Sequence, residues 1–386
     1  MKAFLRTHGK YVAIVLIATA IMLWLWGQIN WHVLPFSEWD GWHYRKIAEA
    51  APGISAEARE PFRFRLLGPW TVGTLFSDYV GGFTLVNYAS SLSLVVALYF
   101  FLCYVAISRP IAAFTAVLFT LNTYLFGVTV WYIFHVNDFL ALLLLLLGFW
   151  ALMEKRWVVF AVALFLGALA RETWLLLPPT ALVFLWERKA LRANLVKLVA
   201  ATLPAVGVTL LLRLLLSADL PGNLEPMQAF VRFAPKVLTP EFWARQFGNA
   251  LKPVTFLPLI FLGTTLAFFR ANKYMAVFIV LTLASTLFGS GNERLMAPAF
   301  VAFYWLLALI FQRDIWPSKW MLGIIAVACF VASLHYQQAR FPLPSRELTV
   351  ILGGLAWLVV TGAAVVFRLR HWQQAGRDAY QNTEAY

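Results

Sequence analysis

The residues best suited to chemistry lie in the polar stretch 37–45, which follows the first long apolar run at 11–29. This stretch contains Glu38 and Asp40, two carboxylates in a chain of which only 13% of the residues are charged. Ionisable groups at a membrane edge are expensive to place and usually face an interior or a substrate path. The placement therefore suggests chemistry at a membrane surface.

Asp40 is the first candidate for a catalytic residue. Its carboxylate can take a proton from an attacking hydroxyl, and burial beside Trp39 and Trp42 is expected to raise its pKa into a useful range. A second interpretation makes Asp40 the N-cap of a helix that starts at Gly41, because Asp is a favoured cap. A third makes it a metal ligand. Glu38 is the reserve carboxylate for the catalytic role.

Three arginines are candidates for binding a phosphate. Arg63 and Arg65 alternate with aromatic residues, and Arg294 follows a glycine-rich turn that lets backbone approach a ligand closely. A guanidinium can hold phosphate through two parallel hydrogen bonds. The alternatives are interfacial anchoring for Arg63 and Arg65, and pairing with Glu293 for Arg294.

Two further pairs of ionisable residues interrupt apolar sequence. His135 and Asp138 stand at the start of an apolar run, where they could bind a sugar, or where Asp138 could simply be favoured by a helix N-terminus. Arg171 and Glu172 lie between two short apolar runs. Mutual pairing and ligand binding are equally good interpretations of these two neighbours.

The elements that must position these residues are membrane helices. The chain has 61% hydrophobic residues and a mean hydropathy of +0.74, against about 45–50% apolar residues in a soluble domain. Apolar runs that approach the roughly 20 residues needed to span a bilayer recur throughout. The sequence therefore predicts an all-α polytopic membrane protein with about twelve segments: 11–29, 83–107, 111–131, 136–153, 157–170, 173–186, 195–216, 254–269, 274–289, 295–311, 320–334 and 348–367.

The distribution of charge predicts the orientation. Nearly every short basic connection falls on one side, which the positive-inside rule makes cytoplasmic, with both termini. Two long connections, 30–82 and 217–252, then lie outside, and their scattered aromatic residues predict helices in the interface plane. The segments 157–170 and 173–186 are short, so Arg171 and Glu172 should lie below the outer surface, in a cavity. No linker or repeat divides the chain, and residues 1–386 form one membrane domain.

Several function classes are excluded. The net charge of +13 is explained by basic cytoplasmic loops and anionic headgroups, so a nucleic-acid partner is not expected. The chain has no Walker loop, no His-Glu-x-x-His and no Gly-x-Ser-x-Gly, and its six histidines are scattered. We therefore expect no metal site. Cys103 and Cys329 lie in apolar runs and are interpreted as buried small hydrophobes.

Two short patches carry a resemblance to a known family. The residues Trp39, Asp40, Tyr44, Ile47 and Ala48 resemble the Trp-Asp…Tyr…Ile-Ala segment of GPI mannosyltransferase II and its bacterial relatives. Glu293, Arg294, Leu295 and Pro298 are similar to their late Arg-Phe…Pro element. The layout also resembles the GT-C superfamily of polytopic glycosyltransferases, which has one N-terminal span and then a large outer loop with a catalytic acidic residue near its start.

The resemblance implies a function. It implies an inverting, metal-independent glycosyltransferase that takes a sugar from a polyprenyl-phosphate donor and needs no cofactor. Asp40 would act as base, with substrate bound by Arg63, Arg65, His135, Asp138, Arg171, Glu172, Glu293 and Arg294. The partners would be membrane lipids, the lipid-linked donor and a glycan, lipid or protein acceptor. The expected location is a bacterial inner membrane with a periplasmic active site. A transporter or flippase of a lipid-linked or anionic substrate is the main alternative, and an inactive scaffold subunit is another.

Overall fold

The computed structural model describes residues 2–29, 40–216, 231, 235, 237, 239–288, 292–316 and 318–383, and within these residues it is helical without strands. Three π-helical segments and several 3₁₀ turns connect the α-helices. The α-helices are α1 (Lys2–Trp26), α2 (Asp40–Ala50), α3 (Leu67–Leu75), α4 (Tyr79–Tyr104), α5 (Arg109–Thr120), α6 (Val128–Trp131), α7 (Val136–Met153), α8 (Trp157–Ala170), α9 (Leu177–Glu187), α10 (Leu191–Leu216), α11 (Pro240–Trp243), α12 (Leu257–Ile260), α13 (Leu262–Ala271), α14 (Lys273–Ser285), α15 (Asn292–Leu295), α16 (Phe300–Ile310), α17 (Lys319–Ser333) and α18 (Arg346–Thr383).

Among the described residues, six helical stretches are long and apolar enough to cross a membrane, and there are up to eight if each of two bent helix pairs counts as one span. This shows a multi-pass membrane protein. The six stretches are Thr7–Trp26, Tyr79–Tyr104, Ile133–Met153, Leu191–Leu216, Ala297–Ile315 and Arg346–Arg370. The bent pairs are Arg109–Thr120 with Thr123–Trp131, at 68°, and Leu262–Ala271 with Lys273–Ser285, at 99°. Each of the twelve predicted segments overlaps a helix in the described part of the chain, but the count of twelve spans remains a prediction.

The segment predicted as one run at 111–131 is broken in the structure. Helix α5 ends at Thr120, and the side chain of Asn122 accepts hydrogen bonds from the backbone N–H groups of Tyr124 and Leu125. Asn122 thereby caps a new π-helical turn, and the axis bends by 68°. A hydropathy window misses this break because one Asn barely lowers the average of an apolar run.

The bundle has two chemically different ends. At one end the rings of Phe83 and Phe134 meet 4.7 Å apart, and at the other Tyr104 meets Trp150 at 5.6 Å. Helices α4 and α7 therefore run parallel. The basic residue Arg109 follows Tyr104, and Lys155 follows α7, so both lie at the Tyr104 end. These two basic connections thus lie at the end of the bundle opposite to Phe134, and the orientation in a membrane remains a prediction.

Helices α2 and α3 of the first long connection cover the Phe134 end. The face of α2 formed by Gly41, Tyr44, Ile47 and Ala48 is buried, and α3 packs against it and against α4. The approach is close, because a Cβ on Gly73 would stand 2.0 Å from the carbonyl oxygen of Ala48. The helices predicted in this connection exist, and their position in the membrane interface remains a prediction.

Candidate functional site

The predicted site residues converge at the end of the bundle that α2 and α3 cover. Arg65 precedes α3, His135 and Asp138 begin α7, and the turn after α8 brings in two neighbouring ionisable residues. Most of the site residues predicted from the sequence lie close together here. The cluster consists of Asp40, Arg65, His135, Asp138, Arg171, Glu172 and Arg294.

Asp40 is the first residue of α2, and its side chain faces the cluster. Its Oδ2 lies 3.4 Å from Nη2 of Arg294, which donates a long hydrogen bond, and 3.6 Å from Nε2 of His135. The side chain of Asp40 is 29% exposed. A carboxylate held beside a guanidinium but still partly open can reach both a substrate and its counter-ion.

A close packing contact fixes the position of Asp40. The backbone N–H of the next residue, Gly41, donates a 2.8 Å hydrogen bond to the hydroxyl of Tyr132. A Cβ on Gly41 would stand 2.6 Å from the ring of Phe134, so only glycine lets the backbone approach this closely. Tyr132 was not among the predicted residues, because an aromatic residue in an apolar run gives no signal of a polar contact.

The pKa of Asp40 is lowered in the structure, whereas the sequence predicted that burial would raise it. Burial alone would raise it, but the hydrogen bond and charge of His135, together with the charges of Arg294 and Arg65, hold the pKa well below the ordinary value. The prediction was wrong because it considered only the neighbouring tryptophans. Three basic side chains from distant parts of the chain outweigh the loss of solvent.

Asp138 and Arg171 form the inner part of the cluster. Oδ1 of Asp138 accepts a 2.5 Å hydrogen bond from Nη1 of Arg171, and both side chains are only 6% exposed. Of the two interpretations of Arg171 and Glu172, mutual pairing does not fit this contact. The turn after α8 is extended at Arg171, so the two neighbouring side chains diverge to different partners.

Glu172 pairs with Arg65, whose Nη2 donates to Oε2 of Glu172 at 3.0 Å. Nη1 of Arg65 donates to the hydroxyl of Tyr44 at 3.3 Å. Burial lowers the pKa of Arg65, but Glu172 and Tyr44 outweigh it and raise the pKa above the ordinary value. The guanidinium therefore stays charged. Tyr44 lies in the patch of residues 39–48 that carries the family resemblance, but its contact with Arg65 was not predicted.

Asn137 fixes the backbone that carries Arg65. Its Oδ1 accepts a 2.9 Å hydrogen bond from the backbone N–H of Gly68, and its Nδ2 donates a 3.0 Å hydrogen bond to the carbonyl of Arg65. A Cβ on Gly68 would stand 2.5 Å from Val136. The first long connection is thus attached directly to the start of α7, which places the charges of both elements in one network.

Arg294 links the inner and outer carboxylates. Its Nε lies 3.4 Å from Oδ2 of Asp138, its Nη2 lies 3.4 Å from Oδ2 of Asp40, and its Nη1 contacts Nε2 of His135. The contact with Asp138 is at ion-pair distance without hydrogen-bond alignment. Good N–H···O bonds measure about 2.7–3.2 Å. The two carboxylate contacts of Arg294 are therefore long, so another anion can compete with these carboxylates for the guanidinium.

Three of the predicted site residues, Arg63, Glu38 and Glu293, are not among the described members of the cluster. Arg63 is buried and donates to the carbonyls of Ala58, Leu216 and Ala56, so it supports the loop backbone and lies outside the cluster. The phosphate-binding role predicted for it does not fit these contacts. Glu38 and the side chain of Glu293 lie outside the described residues.

The charges of the cluster balance. Among the described residues its three carboxylates, on Asp40, Asp138 and Glu172, face three guanidiniums. No group of three or more His, Cys, Asp or Glu side chains suited to a metal ion occurs in the described part of the chain. The arrangement is a neutral, tightly coupled network whose outer members, Asp40 and Arg294, remain accessible.

An apolar cavity of about 870 Å³ lies next to the helix that carries Arg294. Helix α15 packs against the π-helical segment Ala244–Asn249, which forms part of the cavity wall, and Met296 continues that wall. The wall also includes Lys252, which the sequence analysis did not single out. The polar cluster and a large apolar space therefore both adjoin one short helix.

Comparisons of the whole chain with protein-family models, with curated proteins and with solved structures give no match, so the assignment of a function depends on the geometry of this site.

Proposed function

We propose that the protein is a membrane glycosyltransferase that moves a sugar from a polyprenyl-phosphate donor to an acceptor hydroxyl. The observation that supports this most is the meeting of Asp40 and Arg294 at 3.4 Å, although 254 residues separate them in the chain. A base and an anion-binding group are the two parts that metal-independent transfer from a phosphate requires. The resemblance of the Asp40 patch to GPI mannosyltransferase II and its bacterial relatives agrees with this assignment.

The donor phosphate binds at Arg294. A phosphate oxygen replaces the Asp40 carboxylate on the guanidinium, because both anions compete for the same donors and the existing 3.4 Å contact is weak. The guanidinium then stabilises the negative charge that develops on the leaving phosphate. The inner pair of Asp138 and Arg171 holds Arg294 in place from behind.

The released Asp40 acts as the general base. The acceptor oxygen forms a bond to the anomeric carbon, the bond from that carbon to the phosphate oxygen breaks, and polyprenyl phosphate leaves with the bonding electrons. The acceptor proton passes to Asp40, and attack opposite the leaving group inverts the anomeric centre. A low pKa keeps Asp40 ionised before the substrate binds but makes it a weak base. Loss of its contact with Arg294 removes one cause of that low pKa and so increases the basicity of Asp40.

The acceptor, the cofactor requirement and the cellular location complete the proposed function. The acceptor is a glycan, lipid or protein, no cofactor is needed, and the site faces the periplasm of a bacterial inner membrane. The positive-inside pattern supports this orientation, since the basic connections and the cluster lie at opposite ends of the bundle.

The test uses the full-length protein in liposomes with polyprenyl-phosphate mannose and a bacterial membrane-lipid extract as acceptor. We expect release of polyprenyl phosphate and labelled product, with a rate that falls about 10²–10⁴-fold in Asp40→Asn. Glu49→Gln is the matched control, because Glu49 lies on the same helix and pairs only with surface lysine and arginine.

A full rate in folded Asp40→Asn would exclude Asp40 as the base. Movement of intact polyprenyl-phosphate mannose between leaflets, without release of polyprenyl phosphate, would favour the flippase alternative.

A further inference from the structure

We infer that a hydroxyl of the donor sugar binds between Tyr44 and Asp138, accepting a hydrogen bond from the tyrosine and donating one to the carboxylate. Tyr44 comes from α2 and Asp138 from the first turn of α7. The inference rests on the proposed function for the identity of the ligand as a sugar donor. It adds to that function the contact that recognises the sugar.

The hydroxyl of Tyr44 has an unused hydrogen-bond donor. Tyr44 is 2% exposed, and its oxygen accepts a 3.3 Å hydrogen bond from Nη1 of Arg65. A phenol also carries one O–H donor, and no acceptor for it occurs in the part of the chain that the structure describes. Because a guanidinium donates to the oxygen, the O–H bond is polarised and becomes a stronger donor.

Asp138 has an unused acceptor in the same cluster. Its Oδ1 binds Arg171, whereas its Oδ2 is buried without a hydrogen bond and has only the 3.4 Å ion-pair contact with Nε of Arg294. A carboxylate oxygen can accept two hydrogen bonds, so Oδ2 can receive a ligand donor while the contact with Arg294 persists. Buried polar atoms normally have a hydrogen-bond partner. Oδ2 is therefore a place where a ligand hydroxyl can donate.

The unused donor and the unused acceptor lie near one another but do not bond to each other. Tyr44 follows Asp40 by one turn, so both side chains lie on the same face of α2. Burial raises the pKa of Tyr44, Arg65 opposes this, and the charges of Asp138 and Asp40 raise it further, so both carboxylates are within electrostatic range of the phenol. Oδ2 of Asp138 has no hydrogen bond, so the tyrosine does not reach it directly. One ligand oxygen can bridge them.

The chemistry of these two groups selects a hydroxyl over a phosphate. A hydroxyl both accepts and donates a hydrogen bond, so it satisfies Tyr44 and Asp138 at once. An oxygen of a phosphodiester only accepts, and its negative charge is repelled by the carboxylate. A neutral group also fits a cluster in which the described carboxylates and guanidiniums already balance.

The depth of Asp138 assigns this hydroxyl to the donor sugar and not to the acceptor. The side chain of Asp138 is 6% exposed and that of Asp40 is 29% exposed. In the proposed reaction the acceptor hydroxyl must reach the outer carboxylate, Asp40, which takes its proton. The donor phosphate binds Arg294, which contacts both carboxylates. Since the sugar is attached to that phosphate, its hydroxyls are the ones placed beside the inner carboxylate.

The experiment measures binding to the purified full-length protein by native mass spectrometry. The ligands are polyprenyl-phosphate mannose, its analogues that each lack one sugar hydroxyl, and polyprenyl phosphate. We expect wild type to bind one of the analogues about 10–100-fold more weakly than the parent donor, because that analogue leaves a buried carboxylate oxygen and a buried donor without a partner. The other analogues should bind much as the parent donor does.

Tyr44→Phe removes only the tyrosine hydroxyl. Binding of polyprenyl-phosphate mannose should weaken about 3–10-fold, and the penalty for the critical analogue should shrink, because the missing sugar hydroxyl has one partner fewer to lose. Binding of polyprenyl phosphate should not change, since that lipid has no sugar. Tyr274→Phe is the matched control. It removes the hydroxyl of another buried tyrosine, which donates to Asn272 outside the cluster, and should bind every ligand as wild type does.

Two results would overturn the inference. One is equal binding of the parent donor and all its analogues by wild type, absence of binding included. The other is equal weakening of polyprenyl-phosphate mannose and polyprenyl phosphate by Tyr44→Phe, which would give Tyr44 a role at the phosphate or in the fold alone. The expected binding pattern without release of polyprenyl phosphate in the transfer assay would contradict the proposed function and leave the sugar contact standing, so the two failures are distinguishable.

Discussion

Two acid–arginine pairs lie in one cluster, and their environments differ. Asp138 and Arg171 meet at 2.5 Å with both side chains 6% exposed, whereas Asp40 and Arg294 meet at 3.4 Å with side chains 29% and 25% exposed. The inner pair is short and dry, and the outer pair is long and accessible. The same two functional groups therefore have different physical roles a few ångströms apart.

The difference in burial decides which pair can exchange partners. Breaking a buried pair leaves an uncompensated charge in a low-dielectric interior, which is strongly destabilising. An accessible pair contributes about 0–1 kcal/mol, because water replaces the lost partner. The comparison assigns stability to the pair of Asp138 and Arg171, and under the proposed function the pair of Asp40 and Arg294 takes part in turnover.

The largest expected effect is on the inner pair. Asp138→Asn keeps the volume but leaves the buried Arg171 without its carboxylate, so the free energy of unfolding should fall by about 3–5 kcal/mol. The measurement is denaturant titration of the protein in mixed micelles. Asp40→Asn is the matched change on the outer pair and should lower the free energy of unfolding by less than Asp138→Asn does, because solvent screens the partly exposed guanidinium that is left. Equal losses in the two variants would remove the distinction between the pairs.

The next effect concerns Arg294. Arg294→Gln keeps hydrogen-bond donors but removes the charge that stabilises the leaving phosphate, so the transfer rate should fall about 10²–10³-fold. The assay is release of polyprenyl phosphate from the sugar donor. Arg45→Gln, an exposed arginine on α2, should be near wild type. A rate in Arg294→Gln equal to that of Arg45→Gln would argue against a phosphate at Arg294.

A smaller effect follows from the packing under Asp40. Gly41→Ala places a methyl group 2.6 Å from the ring of Phe134, which should destabilise the protein by about 1–3 kcal/mol and slow transfer by shifting Asp40. Gly323→Ala adds the same methyl group to α17, where it meets nothing within 4 Å. If both variants transfer sugar at the wild-type rate, the position of Asp40 does not limit catalysis.

The smallest effect is expected from pH. The folded-state pKa of Asp40 lies below its unfolded value, which is about 3.9, so its contribution to stability is present above about pH 4 and is lost as the pH falls through the folded pKa. Asp40 should then give no acidic limb in kcat/KM between about pH 5 and 8. The measurement is the pH profile of transfer for wild type and Asp40→Glu. A limb in this range that shifts in Asp40→Glu would contradict the low pKa.

The helices could be predicted more reliably than their contacts. Segments 136–153 and 157–170 were predicted with the boundaries that α7 and α8 have, because charged residues flank long apolar runs. The break at Asn122 was missed, because a side-chain cap depends on one residue and not on average hydropathy.

The members of the site were mostly predictable, and their partners were not. Rare charges in apolar sequence indicated Asp40, Asp138 and Arg171, but residue spacing does not show that Asp138 faces Arg171 across 33 positions. Arg63 and Arg65 looked equivalent in sequence. Arg63 is the middle residue of the 3₁₀ turn Phe62–Phe64, and Arg65 is the residue that follows this turn. Residues two apart in such a turn point in different directions, so Arg63 reaches loop carbonyls and Arg65 reaches Glu172.

The central claim is that a phosphate oxygen replaces the Asp40 carboxylate on the Arg294 guanidinium. Its most direct test is an experimental structure of the protein with polyprenyl phosphate in a lipid nanodisc. The account predicts a phosphate oxygen within about 3 Å of the Arg294 guanidinium and the Asp40 carboxylate released from it. A structure in which Asp40 and Arg294 keep their 3.4 Å contact while the phosphate binds elsewhere would contradict it.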